Sequence, residues 1–143
     1  VDSARDSTPL LQAARHVNDF KPQRVTETIL SEAKRGSARA ICCLGLSYKA
    51  DIDDLRESPS IDIVDMVSRR FDGPLFVVEP HIEVLPKHLQ GSANLTLTRL
   101  RDGLEHSDIV VLLTDHKEFR SIPADDLRGK RVIDTRGVWQ SIG

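Results

Sequence analysis

The chain is poor in cysteine, in charge of one sign and in long apolar runs, and each shortage excludes something. Its 143 residues carry two cysteines, adjacent at Cys42-Cys43, which is a poor basis for a disulfide framework and favours a reduced, cytoplasmic setting. The formal net charge is −2, and no stripe of Lys and Arg dominates any region, so nucleic acid is not an expected partner. No apolar run approaches the roughly 20 residues that span a bilayer, and the first residues lack a signal-peptide pattern, so no membrane association is expected. There is one methionine, Met66, and the chain opens Val1-Asp2-Ser3, which suggests a fragment of a longer protein. No internal repeat or low-complexity segment stands out.

What remains is ordinary for a soluble globular domain: 39% hydrophobic and 29% charged residues in a length that suits one core. Leu10, Ala14, Val17, Val25, Ile29 and Ala33 recur at three-to-four-residue spacing and predict a long helix from Pro9 to Lys34, capped by Thr8 and closed by Gly36. Pro22 should kink or break it near Phe20-Lys21. Ala40 to Leu44 reads as a strand buried on both faces. Ser58 and Pro59 suit the cap and first position of a helix running to Arg70. Further strands are expected at Leu75–Val78, Leu95–Leu97, Ile109–Leu113 and Arg131–Asp134. Helices are expected at Arg99–His106, up to Phe119, and around Asp125–Leu127. Strands alternating with helices predict an α/β fold, a Rossmann-like open parallel sheet with helices on both faces, preceded by the long N-terminal helix.

The loop after the first strand carries the candidate chemistry. Gly45 is one glycine where the dinucleotide fingerprint needs three, so this turn should not clasp a pyrophosphate through its backbone. It offers instead Lys49, and Arg136 follows the last strand at the same sheet edge. Two cations there suit a phosphorylated, dianionic ligand. The plainer alternative is that Lys49 and Arg56 pair with the neighbouring carboxylates Asp51, Asp53, Asp54 and Glu57. Cys42 and Cys43 read as small buried strand residues. His16, His81, His88, His106 and His116 are scattered and read as surface or packing residues, with no metal site expected; only His116 lies near the cleft.

The run GLSYKADIDDLRESPSIDIV, Gly45 to Val64, resembles the signature that opens the C-terminal nucleotide-sugar-binding domain of the UDP-glucose/GDP-mannose dehydrogenases. The resemblance extends over essentially the whole chain. It implies that Tyr48 and Lys49 contact the nucleotide sugar, and that Arg136, from Asp134-Thr135-Arg136 in place of Asp-Gly-Arg, does so too. It implies that Arg56 reaches NAD held by a separate domain. Leu113-Thr114 through Phe119 follows the family's L-T-x-x-x-x-F. Val78-Glu79-Pro80, Leu85-Pro86 and Asp134 through Trp139 are most similar to UDP-N-acetylmannosamine dehydrogenases, with UDP-glucose or UDP-N-acetylglucosamine dehydrogenases as the alternative. Ala14 to Asp19 resembles the family's central helix, so residues 1–36 are expected to form a homodimer interface and residues 37–143 the UDP-sugar-binding domain.

Family members oxidise the C6 alcohol to a carboxylate in two NAD-dependent steps through a cysteine thioester. The G-G-x-C-x-x-x-D nucleophile motif and the NAD fingerprint are absent from this sequence. The resemblance therefore implies no catalytic residue here, and a chain that should not turn over alone. Two other classes compete. A phospho-acceptor signalling domain is suggested by Asp53-Asp54 and Thr114, but an acceptor Asp on the middle strand is not evident and Arg136 replaces the expected Lys. A dimerisation module without ligand would have no need of Lys49, Arg56 and Arg136.

Overall fold

The structure, a computed structural model, describes residues 14–16, 21–47, 49–51, 55 and 58–139. Among the described residues, six strands form one parallel sheet: β1 (Ala14–His16), β2 (Ile41–Leu44), β3 (Leu75–Val78), β4 (Leu95–Leu97), β5 (Ile109–Leu112) and β6 (Arg131–Asp134). The helices among the described residues are α1 (Pro22–Arg35), α2 (Pro59–Arg70), α3 (Leu100–Glu105) and α4 (Lys117–Arg120), with single 3-10 turns at Lys87–Leu89 and Ala124–Leu127. Strand order is β1-β6-β5-β2-β3-β4, all parallel, so the chain winds one way from β2 through β3 to β4 and the other way through β5 to β6. The order reverses between β2 and β5, and the crevice beyond the carboxyl ends of those two strands is where open α/β sheets bind ligands.

The middle strands are buried on both faces, as continuous apolar runs in parallel sheets require. Alternate residues go to opposite layers. Ile41, Cys43, Ile109 and Val111 pack with Val25, Ile29 and Ala33 of α1 and Ile63, Val64 and Val67 of α2. Cys42, Leu44, Val110 and Leu112 pack with Leu104 of α3, Phe119 of α4, Leu127 and Trp139. Helices therefore cover both faces of the sheet. The adjacent cysteines face opposite layers, fully buried, and burial pushes both thiols up, Cys43 to about 12. No helix among the described residues is long and apolar enough to cross a membrane.

One expectation changes. The helix predicted from Pro9 to Lys34 starts at Pro22, and Ala14–His16 is instead a strand on the outer edge of β6, with Ala14 opposite Val132 and His16 opposite Asp134. Pro22 has no N–H to give a preceding turn and forces Lys21 into extended backbone, at φ −66° and ψ 132°. The exposed hydrogen-bonding edge of β6 then finds its partner in residues 14–16. Thr8, the cap expected for that longer helix, lies outside the described residues. The stripe Val25, Ile29 and Ala33 is covered within the chain by α2 and the sheet.

Helix α2 begins as the sequence predicts. Ser58 Oγ accepts from Ser60 N at 3.3 Å, Pro59 takes the first helical position, and the Ser58 hydroxyl donates to Leu46 O at 2.6 Å. That second bond ties the start of α2 back to the turn leaving β2, so the cap also shapes the site.

Candidate functional site at the switch point

The turn after β2 is tight because Gly45 stands at φ +102° and lies against Thr114, two residues past the end of β5. A Cβ there would sit 2.5 Å from Thr114 Cβ and 2.8 Å from Thr114 N, so glycine is required for both conformation and space. Thr114 Oγ1 donates to Ser47 O at 2.8 Å, closing the seam between the two strand ends.

Behind this seam lies a buried polar cluster. Glu79, at the end of β3, is turned inward: its Oε1 accepts from Leu46 N at 2.8 Å, Ser47 N at 3.1 Å and His116 Nε2 at 3.0 Å, while Oε2 accepts from His81 N at 3.1 Å. Burial raises the Glu79 carboxyl, but the hydrogen bonds from His116, Leu46 and His81 outweigh it and hold it below the usual carboxylate range. His116 is fully buried, with the His81 ring edge-on to it at 4.7 Å and Phe119 at 5.4 Å. Its Nδ1 accepts from Asp51 N at 2.7 Å. An amide N–H can only donate, so this contact fixes the tautomer: the ring proton is on Nε2, directed at Glu79. His116, expected at the surface or in packing, is in fact the node joining β3, β5 and the turn.

Ligand atoms of Glu79, His81 and His116 lie within 4.8 Å of one another, and His81 Nε2 is buried without a hydrogen-bond partner. Sequence spacing gives no sign of this cluster. Its hydrogen bonds nonetheless oppose a metal, because His116 Nε2 carries the proton given to Glu79 and a metal there would require Nδ1 to be the protonated atom, facing the Asp51 N–H.

The sequence-predicted residues fall as follows. Lys49 is exposed on the turn, with its carbonyl accepting from Ser47 Oγ at 2.8 Å. Asp51 pairs elsewhere than with Lys49. It accepts from Lys117 N at 2.7 Å and lies 3.6 Å from Arg120 Nη2, and the Lys117 amide chiefly holds its carboxyl below the usual range. Arg136 is exposed after β6, with Nε donating to Leu113 O at 2.9 Å. Its loop is shaped by buried Asp134, which accepts from Arg136 N, Gly137 N and Trp139 N at 2.7 to 2.9 Å. Lys49 and Arg136 thus stand at the carboxyl edge of the sheet on either side of β5. Tyr48 and Arg56 lie outside the described residues. A cleft of about 850 Å³ opens beyond β3 and β4, lined by Glu79, Leu97, Arg99, Glu118 and Phe119 among others.

These amides decide how the turn can meet a dinucleotide. The fingerprint turn holds a pyrophosphate on free backbone N–H groups, whereas Leu46 N and Ser47 N are both taken by Glu79. The described residues of this turn do not fit an NAD pyrophosphate. What the edge presents outward is cationic side chain.

Fold and edge together define a Rossmann-like α/β domain that presents Lys49 and Arg136 at its switch point. Comparison with known proteins narrows this. The UDP-glucose/GDP-mannose dehydrogenase family, UDP binding domain, matches residues 42–141, and the chain belongs to that family. It is 48% identical over 99% of its length to an NDP-N-acetyl-D-galactosaminuronic acid dehydrogenase of Ralstonia nicotianae, covering 33% of that relative. It is 42% identical over 92% of its length to a UDP-N-acetyl-D-mannosamine dehydrogenase of Salmonella typhimurium, again covering 33% of the relative. The solved UDP-N-acetyl-mannosamine dehydrogenase of Staphylococcus aureus superposes with a TM-score of 0.65 at 26% identity, over 82% of this chain and 27% of that one. The chain therefore spans about a third of the curated relatives it matches.

Proposed function

We propose that this chain is the substrate-binding portion of an NAD-dependent UDP-sugar 6-dehydrogenase, an oxidoreductase that takes a UDP-linked sugar and oxidises its C6 alcohol to a carboxylate in two steps. The observation that carries the reading is the division of labour at the switch point. Glu79 occupies the Leu46 and Ser47 amides, which leaves the exposed Lys49 and Arg136 to meet a diphosphate. Tyr48 completes the contact with the nucleotide sugar. The relative named for UDP-N-acetyl-D-mannosamine supports that sugar as the substrate, and the one named for N-acetyl-D-galactosaminuronic acid supports the N-acetylated class, with surface polysaccharide as the destination of the product. NAD is bound mainly by a separate domain, toward which Arg56 reaches, and this chain alone is inactive. The enzyme works in the cytoplasm as a homodimer joined through the part of residues 1–36 that precedes α1, while α1 packs on the sheet of residues 37–143 as part of the UDP-sugar domain.

Calorimetry with UDP tests the site. Removing one charge-assisted contact costs about 1.5–3 kcal/mol, so Lys49→Ala and Arg136→Ala should each weaken UDP by roughly tenfold or more. Unchanged affinity in both variants would remove the nucleotide from this edge.

A further inference from the structure

We propose that His116 is a positioning residue for nucleotide binding: it locks the turn that carries Ser47, Lys49 and Asp51, and with it the Lys49 side chain, in the shape that meets the ligand. The inference rests on the reading of the Lys49 edge as the nucleotide site. The turn is gripped at both ends. At Ser47, the amide goes to Glu79 Oε1 and the hydroxyl lies 3.2 Å from His116 Nε2. At Asp51, the amide goes to His116 Nδ1 at 2.7 Å and the carboxylate accepts from Lys117 N, the residue after His116, at 2.7 Å. One imidazole therefore spans the turn, donating on one side and accepting on the other.

The grip has work to do, because Asp51 stands at φ +62°, a left-handed conformation that aspartate tolerates better than most residues but that still costs more than it would for glycine. Without the acceptor at Nδ1 the turn has reason to relax. Between the two gripped residues Lys49 keeps its main chain tied to Ser47 Oγ while its side chain is exposed. His116 itself is fully buried under His81 and Phe119, so it touches no ligand and acts only through the turn. Affinity should then scale with the fraction of time the turn spends in its competent shape.

The test measures UDP affinity by calorimetry and the exchange rate of the Asp51 amide proton, on the unchanged chain and on His116→Gln, His116→Ala and Lys49→Ala. Glutamine's amide has a donating NH2 and an accepting carbonyl, and so offers both functions of the neutral ring; alanine offers neither. His116→Ala should weaken UDP about tenfold and speed exchange at Asp51, while His116→Gln should stay within about threefold of the unchanged chain. Amides of β5 should exchange as slowly as before in both. Three outcomes overturn the positioning role while leaving the nucleotide reading intact: affinity lost in Lys49→Ala but not in His116→Ala; glutamine falling as far as alanine; or β5 amides accelerating together with Asp51. If the unchanged chain binds no UDP, the nucleotide reading fails and the positioning role falls with it.

Discussion

Replacing Glu79 by Gln is the sharpest probe of the buried cluster. The carboxylate receives four donors, Leu46 N, Ser47 N, His116 Nε2 and His81 N, at 2.8 to 3.1 Å. The best amide orientation keeps an oxygen toward the first three and turns its NH2 onto the fourth. That leaves one buried donor facing another, at about 1–3 kcal/mol, and removes the charge assistance from the rest. We expect a loss of roughly 3 kcal/mol at neutral pH, read in urea as a lower midpoint with an unchanged slope. The loss should also depend on pH. The folded Glu79 carboxyl is held below 4.5, so its ionised form is the stabilising one. That stability is fully present above pH 4.5 and fades as pH falls through the lower folded value. The gap between the two proteins should therefore narrow in acid. A gap under 1 kcal/mol at pH 7, or one that stays constant into acid, would refute the reasoning, since about 1 kcal/mol is what a single ordinary hydrogen bond contributes.

Two further outcomes bear on the fold and assembly. Gly45→Ala should destabilise by roughly 3 kcal/mol, from a positive φ and a Cβ driven into the Thr114 backbone, and a midpoint unchanged in urea would contradict the close crossing drawn here. Light scattering should show a dimer that reverts to monomer on removal of residues 1–13, whereas a monomeric intact chain would end the assembly proposal; the cut must stop short of α1, because Val25 and Ile29 are core.

Most of the sheet was legible in the sequence because apolar runs of strand length were punctuated by residues with clear mechanisms. Gly45 ended β2, Ser58-Pro59 opened α2, and β3 and β6 fell where expected. The N-terminal segment misled because helical spacing of apolar residues runs straight through Pro22, while the pairing of residues 14–16 with β6 depends on chain far away in sequence. The placement of Lys49 and Arg136 at one edge followed from topology alone. The inward turn of Glu79 did not. It meets His116 across 37 residues, and nothing in local composition marks a carboxylate and an imidazole that parallel strands will bring into contact. A carboxylate ending an apolar strand, with a histidine just past the central one, was the signal available.

The two thiols placed back to back in β2 give the molecule a pair of internal clocks. Cys42 lies under α3 and the Trp139 layer, Cys43 under α1 and α2, and neither is accessible or ionised while its layer is shut. A thiol-reactive reagent can therefore modify each only when its own side of the sheet opens. Simultaneous modification would mean that the layers breathe as one unit, and separate rates would time each layer alone.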